Sequence, residues 1–495
     1  MSSTESYDAI VVGGGPAGSV MAWSLARRGI RVAVVERARF PREKVCGDFV
    51  EPGGLRILEA MGCLQPLEAA EPLPITHVAT FIQSKLIYRG KIPYYVEQHG
   101  LPSYGYIVPR SELDTELLNC ARAASATVYE GCSAKKISHD GRFVQVSVSS
   151  DGQRFDLSAP LIVGADGVAS IVARSFGQIR DDPRFTCIAQ RSYVDGVSLL
   201  RGEATTWFDE DLFPGYGWLF PMSDGRANVG VGVLSEARRR HGMNVPELFR
   251  SFIEKLKRHH PACAHMQLEQ KPRGGTTRSY SAIGRNVFDG GLLIGDAGSF
   301  VDPLTGEGIT PGMESALIAS DTVVEALERG RFDAGFLSRF EHDFRDYFES
   351  AMRYLQFTAT MMRNRHMREF CLRTMKLGWQ EAATDPYFAR VAGASFGGLE
   401  LRTSAVLGQL WAKVAAHMAK GTAGMMLNFL NGKNVFKGDF VDDIRAWQRG
   451  MQMSMLDDPL WHMGWLGDVA KSAARMHWTS RNVRVRGTAQ ITQGL

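Results

Sequence analysis

The sequence predicts an α/β fold in which a parallel sheet is assembled from three separated segments, an antiparallel-sheet domain is inserted between them, and a helical region follows. Three observations predict it. Apolar runs at residues 9–12, 161–163 and 292–294 each lead directly into a glycine turn. Residues 72–100 and 185–235 alternate apolar and polar positions and are rich in aromatics, the period-two pattern of strands covered on one face. From Phe332 onward the spacing of apolar residues is mainly helical, with several methionines and aromatics. The expected boundaries are 1–70, 103–178 and 272–330 for the discontinuous parallel-sheet domain, 71–102 and 179–271 for the inserted domain, and 331–495 for the helical region.

Taken in order, residues 7–40 read as strand, glycine turn, helix and strand. After Ala9, Ile10, Val11 and Val12, the glycines Gly13, Gly15 and Gly18 fall at the G-x-G-x-x-G spacing, with Ala17 inside the turn. The first glycine permits a tight turn, the second lets the backbone approach a pyrophosphate, and the third lets helix and strand pack closely. A helix over residues 19–28 would then point its N-terminus, with free N–H groups and a positive dipole end, at the phosphates. Glu36 ends the second strand about where an acid that binds a ribose is expected. Strand, turn, helix and acid agree on a Rossmann-type dinucleotide site.

A loop over residues 37–48 follows, then a helix near 53–61. Pro109-Arg110-Ser111 opens another helix, with Leu113, Leu117, Leu118 and Ala121 on one face. Short strands are expected at 127–130 and 144–148, with Asp140-Gly141 and Asp151-Gly152 as turns. The run 161–163 leads into Gly164-Ala165-Asp166-Gly167, and 292–294 leads into Gly295-Asp296, before a helix at 310–328. In an open parallel sheet, ligands gather at the carboxyl ends of the strands, so these turns can meet at one site.

At 495 residues, 44% hydrophobic and 22% charged, the chain has the composition of an ordinary globular protein of two or three domains. A net charge of +4 gives no electrostatic argument for nucleic acid. No apolar run is long enough to span a bilayer and no leader pattern is visible, so a cytoplasmic enzyme is expected. The seven cysteines are scattered and form no C-x-x-C pair, which predicts neither a disulfide framework nor a zinc site. No metal is expected.

The three glycine turns, with Glu36 and the stretch from Asp302 and Pro303 through Thr305 and Gly306 to Glu307, Gly308 and Ile309, resemble the FAD fingerprints of flavoprotein monooxygenases and their relatives. The resemblance covers residues 7–330. It implies that Glu36, beside Arg37, holds the adenosine ribose, that Arg110 approaches FAD, that Asp166 and Gly295 belong to the cofactor turns, and that Asp296 binds the ribityl chain. Pro303, Gly306, Gly308 and Ile309 would face the isoalloxazine. The helix N-terminus after residue 308 would direct positive potential at the flavin ring, where charge accumulates on reduction.

Two further stretches resemble the geranylgeranyl reductase branch. Tyr216, Trp218 and Phe220, in a Tyr-Gly-Trp-Leu-Phe-Pro run followed by Gly230-Val231-Gly232, are similar to its isoprenoid-binding motif. Lys44-Val45-Cys46-Gly47 resembles its cysteine loop, which would place Cys46 and Gly47 beside the flavin. Aromatics alternating on one strand face would also suit an ordinary core; the resemblance assigns them to an apolar wall for a lipophilic substrate. Residues 47–54 are similar to a loop of squalene monooxygenases, and flavin-dependent halogenases share the architecture. The implied function is FAD-dependent reduction of carbon–carbon double bonds in an isoprenoid-like chain, with Cys46 and the turn at Pro303, Gly306 and Gly308 nearest the chemistry. An epoxidase or hydroxylase, or a halogenase of a lipophilic secondary metabolite, is the alternative. NAD(P)H or another external reductant is implied, though no second complete nucleotide fingerprint is present.

Gly393-Ala394-Ser395-Phe396-Gly397 fits a hydrolase nucleophile elbow but lacks the buried strand that motif needs. In the C-terminal third, Val406, Leu407, Leu410, Trp411, Val414 and Met418 form a helical stripe, with Met425, Met426, Leu427, Phe429 and Leu430 after it. The expectation is a packed helix, or one that touches a membrane surface with Arg481, Arg484 and Arg486 near anionic lipid.

Overall fold

The computed structural model describes residues 4–92, 102–179, 181–198, 202–223, 225–281, 284–384 and 439–480. The elbow-like Gly393–Gly397, the stripe from Val406, the methionine run from Met425 and the arginines from Arg481 lie outside them.

The three predicted apolar runs pair as neighbours. The sheet order is Val287–Phe288, Gly291–Leu293, Leu161–Gly164, Ala9–Val12, Val32–Glu36, Thr127–Glu130, parallel throughout except for Val287–Phe288. Because side chains alternate along a strand, each strand feeds two cores. Ala9, Val11, Val32, Val34, Leu161 and Val163 pack under the helices Pro16–Arg27, Arg110–Ala123 and Ile309–Arg329. Ile10, Val12, Ala33, Val35 and Ile162 face the other way.

What they face is a layer that the sequence disclosed only in part. Ser133–His139, Val144–Ser150 and Gln153–Ala159 form an antiparallel sheet, with Thr4–Ser6 added in parallel. Of these only 144–148 was expected as a strand. Ser133–His139 carries two lysines and a histidine, and its solvent face hides the period-two signal; Val144, Val146 and Val148 are its legible counterparts.

The inserted domain is an eight-stranded sheet ordered Gln267–Leu268, Thr186–Asp195, Ala227–Leu234, Gly215–Pro221, Glu203–Phe208, His77–Ile82, Lys85–Lys91, with Arg273–Arg278 also on Thr186–Asp195. It is antiparallel apart from Glu203–Phe208 against His77–Ile82, which run parallel. The expected boundary at 272 therefore needs correction: Arg273–Arg278 hydrogen-bonds along the inserted sheet, and the chain leaves it only afterwards. One face of this sheet is closed by the helix Val245–His259, whose Phe249, Phe252 and Ile253 pack on Leu219, Val229 and Val231.

Beyond residue 330 the described chain is helical, as expected, in Ala334–Met362, Arg368–Thr384, Asp439–Asp457 and Pro459–Ser480. The first of these belongs energetically to the parallel-sheet domain, since Leu337, Phe340, Phe344 and Phe348 join its core. At its end, Trp465 is buried and donates from Nε1 to the Thr360 carbonyl at 2.8 Å, and Arg363 bridges Glu236 at 2.6 Å and Asp468 at 2.9 Å. Among the described residues no helix is long and apolar enough to cross a membrane.

Two of the scattered cysteines meet in the fold: Cys63, after the helix Pro52–Met61, lies beside Cys120 in Arg110–Ala123, their Cα atoms 6.4 Å apart across 57 residues. No local spacing signals such a pair, because the fold alone brings the two helices together. Cys46, Cys132, Cys187, Cys263 and Cys371 are free.

The tightest backbone approach lies in the first turn. A methyl group at Gly18 would stand 1.9 Å from the Gly13 carbonyl oxygen, so the helix would have to move off the strand. Gly18→Ala should cost about 1–3 kcal/mol through overpacking. Thermal unfolding of the variant is expected at lower temperature with reduced flavin content, and an unchanged midpoint would refute the packing role.

Candidate active site

The carboxyl ends of the parallel strands and the open face of the inserted sheet enclose a cavity of about 860 Å³. Every residue predicted for the site lines it except Gly18, which instead seats the helix on the strand.

The first turn is shaped as its glycines require. Gly13 has φ +104°, and a methyl there would meet the Ala165 carbonyl oxygen at 2.3 Å, so this backbone touches the neighbouring turn. Gly15, by contrast, faces open space, with only the Arg42 guanidinium 3.4 Å from where a methyl would sit. Pro16 and Ala17 line the cavity at the start of Pro16–Arg27, a helix with no side-chain cap. Its first-turn N–H groups are thus available to an anion.

Glu36 ends its strand buried, with Oε2 accepting the Gly14 N–H at 2.8 Å and Oε1 the Ala38 N–H at 2.7 Å. A carboxylate offers about four lone-pair sites, so hydroxyl donors can still be accepted. Arg37 follows it on the cavity rim.

The loop after Glu36 supplies further cations beside the expected Arg37 and Lys44, and Arg42 was not among the expected site residues. Arg42 Nη2 lies 2.8 Å from Asp114 Oδ2, and Arg110 grips the same carboxylate from Nε at 2.7 Å and Nη2 at 2.9 Å. Two arginines therefore share one buried carboxylate and leave net positive charge beside the glycine turn. Lys44 reaches across to Asp296, 3.9 Å away. The sequence signal was present in the density of cations among Arg37, Arg39, Arg42 and Lys44.

Asp166 also touches the cavity, yet its carboxylate is committed elsewhere. It accepts from Ser170 Oγ and from the N–H of Ile171 at 2.6 Å, closing the start of the helix Ile171–Ser175. The carboxylate thus serves as a local cap while the residue lines the cavity.

In the third turn, Gly295 donates its N–H to Ser315 Oγ at 3.0 Å, and Asp302 Oδ1 accepts the N–H groups of Leu304 at 2.7 Å and Thr305 at 2.9 Å. Gly306 then turns through φ +73°, a left-handed backbone that favours glycine. Glu307 Oε1 accepts the Thr310 N–H at 2.8 Å, and Gly308 precedes Ile309–Arg329 without a side-chain cap. Pro303, Gly306, Gly308 and Ile309 line the cavity. Burial raises the Asp302 and Glu307 carboxyls, and Asp302 and Glu314 raise Glu307 further.

The opposite wall comes from Gly215–Pro221. Gly217 and Leu219 turn toward the helix, and Tyr216, Trp218 and Phe220 face the cavity with successive ring centroids 6.0 and 6.3 Å apart. Gly230, opposite Trp218 in register, leaves the indole its place, since a methyl there would lie 2.1 Å from the ring. The Tyr216 hydroxyl donates to the Thr305 carbonyl, joining this wall to the third turn.

Between wall and turns lies the Cys46 loop. The Cys46 thiol is half-buried; burial pushes its pKa up, Arg110 opposes that rise and Asp48 adds to it. Asp48, buried at φ +63°, accepts from Tyr193 Oη at 2.6 Å and Asn228 Nδ2 at 2.7 Å, both at Oδ2. Asn228 also donates to the Cys46 carbonyl at 2.9 Å and accepts Trp218 Nε1–H at 2.9 Å. Asp48, Tyr193, Arg191 and Asn228 were not foreseen, because they come from three distant segments.

The cavity has what FAD requires: an uncapped helix start behind an open glycine, a buried acid at the second strand end, flanking cations, and a second helix start at Gly308. Residues 6–353 match the family described as FAD binding domain. The chain belongs to that family. It is an FAD-dependent oxidoreductase. Digeranylgeranylglycerophospholipid reductase 2 of Methanopyrus kandleri is 29% identical over 70% of this chain and 84% of its own length. Menaquinone reductase of Mycobacterium tuberculosis is 32% identical over 65% of this chain and 77% of its own. Among solved structures, a geranylgeranyl bacteriochlorophyll reductase-like protein from Thermoplasma acidophilum superposes with TM-score 0.64 at 18% identity, covering 77% of this chain and 91% of that one. The flavin-dependent halogenase CmlS gives 0.63 at 21%, covering 77% and 72%. These structural likenesses show the fold.

Replacing Glu36 by Ala removes the acceptor of two turn N–H groups together with the acid at the strand end. FAD retained through gel filtration should fall, with affinity weakened about tenfold or more, equivalent to about 1.4 kcal/mol. Flavin content equal to the parent protein's would remove Glu36 from the site.

Proposed function

We propose that this flavoprotein reduces carbon–carbon double bonds in an isoprenoid-like chain, drawing electrons from NAD(P)H or another external reductant. The observation that carries this reading is the continuity of one cavity from the glycine turns to the aromatic wall at Tyr216, Trp218 and Phe220. The named reductases among its relatives act, by their names, on a geranylgeranyl lipid and on menaquinone. Both names point to long unsaturated lipids.

When bound, FAD supplies the hydride. The chain's residues bind and orient. Glu36 would take the adenosine ribose, the N–H groups at Gly15 and Ala17 with Arg42 the pyrophosphate, and Asp296 the ribityl chain, with Arg110 holding Arg42's partner carboxylate. The turn from Pro303 to Ile309 would back the isoalloxazine, where the dipole of Ile309–Arg329 favours the negative charge of the reduced ring. Tyr216, Trp218 and Phe220 would lay an alkene segment along the ring and exclude water. Cys46, whose pKa is raised, enters as a neutral thiol that contacts the alkene or flavin edge.

Anaerobic reduction followed by mixing with geranylgeraniol tests the reaction class. Alkene-dependent reoxidation of the flavin without oxygen establishes the reductase. If reoxidation needs oxygen and the product gains an oxygen atom, the enzyme is a monooxygenase and the reductase reading falls. Trp218→Ala should slow turnover of a long-chain substrate at least tenfold, about 1.4 kcal/mol of transition-state stabilisation, while flavin content stays unchanged. Equal losses of flavin and turnover would reassign Trp218 to the cofactor site.

A further inference from the structure

The lining of the cavity falls into two groups of unlike chemistry. The glycine turns, Glu36, Arg42 and Lys44 suit a charged dinucleotide. Phe208, Pro214, Tyr216, Leu304, Ala359 and Met362 form an apolar remainder. Among the described residues, Ala359 and Met362 are the only lining groups from beyond the helix Ile309–Arg329, and cofactor binding makes no use of them.

Ala359 and Met362 stand three residues apart in the last turn of Ala334–Met362, hence on one face of it. Met362 has a cavity side and a packed side. Behind it lies a cluster that includes Phe208, Phe213, Met367, Leu372 and Trp465, every one of them buried. Tyr216 and Leu304 pack against the same cluster while they line the cavity. The aromatic wall and the turn at Leu304 therefore run into close apolar packing at Met362, and a hydrocarbon chain cannot pass it.

A stop measures length only if it stays in place, and this helix end is fixed from three sides. Trp465 Nε1 donates to the Thr360 carbonyl at 2.8 Å. The buried Arg363 guanidinium reaches Glu236 at 2.6 and 3.1 Å and Asp468 at 2.9 Å. Asn364, fully buried, donates from Nδ2 to Ser454 Oγ at 2.9 Å. Glu236 belongs to the helix Ser235–His241, which follows directly on Ala227–Leu234, and that strand pairs with the wall strand Gly215–Pro221. The helix end is thus tied to the wall that it meets.

We propose that Ala359 and Met362 form the stop against which the hydrocarbon end of the substrate rests, and so set how much of the chain the cavity takes in. The proposal rests on the reading of this cavity as a site for an isoprenoid-like chain. Phe208, its ring centroid 5.6 Å from that of Tyr216, carries the aromatic wall on toward the stop. A chain that reaches Met362 buries its last carbons on apolar surface, and each methylene so buried strengthens binding about fourfold. A shorter chain leaves that space unfilled. Ala359 is the narrow side of the pair, because its small side chain leaves room in front of Met362 that a larger residue would occupy.

The test measures binding of geraniol and geranylgeraniol to the oxidised, FAD-loaded protein by tryptophan fluorescence, which needs no turnover. The parent should bind geranylgeraniol at least about tenfold more tightly than geraniol. Ala359→Phe should weaken geranylgeraniol about tenfold or more and geraniol by less than about threefold, because the short chain has slack and the long one is pushed back out of the cavity. Ala359→Leu should fall between the two, and Met362→Ala should tighten geranylgeraniol relative to geraniol. Retained FAD and thermal midpoint in Ala359→Leu keep the comparison within the folded protein, and a merely structural residue would move both alcohols together. Parent-like ratios in both Ala359 variants, or equal losses of the two alcohols, overturn the stop. A parent protein that binds neither alcohol overturns the isoprenoid reading and the stop with it. One that shows the length effect and its shift in the variants, yet reduces no alkene, confirms the stop and overturns the reductase reading alone.

Discussion

Everything at the cofactor end depends on how closely three backbones approach one another. Gly13 lies against the Ala165 carbonyl and Gly18 against the Gly13 carbonyl, so the first helix, first strand and second glycine turn form one block in which no side chain fits. The parallel register of Ala9–Val12 with Leu161–Gly164, and of that strand with Gly291–Leu293, then brings the third turn level with the first two. Chain segments more than 100 residues apart thus share one rim. Close packing, more than any single hydrogen bond, fixes where an uncapped helix start and a buried acid stand relative to each other.

The inserted sheet meets this rim through a second small-residue accommodation. Gly230 yields its volume to Trp218, and Gly217 yields to the Phe252 ring on the opposite face. The strand Gly215–Pro221 therefore has one side in the core and the other in the cavity, with glycines deciding how far each aromatic leans. The polar unit of Asp48, Tyr193, Asn228 and Arg191 sits where wall and loop join, and its satisfied members orient the loop that carries Cys46.

Local signals in the sequence were strong where function rests on a contiguous turn. Gly13, Gly15 and Gly18 could be given separate tasks from spacing alone, and the structure shows a tight turn, an open face and a close approach in that order. The alternation of Tyr216, Trp218 and Phe220 was equally visible, but periodicity could not tell a core face from a cavity face; the helix Val245–His259 takes the Leu219 side and leaves the other open. What stayed hidden was assembled through space. Asp48 has meaning only beside Tyr193 and Asn228, Arg42 only beside Asp114, and Cys63 only beside Cys120. Asp166 shows the reverse: a residue at a fingerprint position whose carboxylate went to a five-residue helix.

The contact from the Tyr216 hydroxyl to the Thr305 carbonyl joins the inserted sheet to the turn at Gly306. One phenol thereby acts as a spacer between two walls built by different domains. The clearance at this edge of the cavity is then coupled to the turn, so that whatever shifts the backbone at Thr305 and Gly306 also moves the first ring of the aromatic wall.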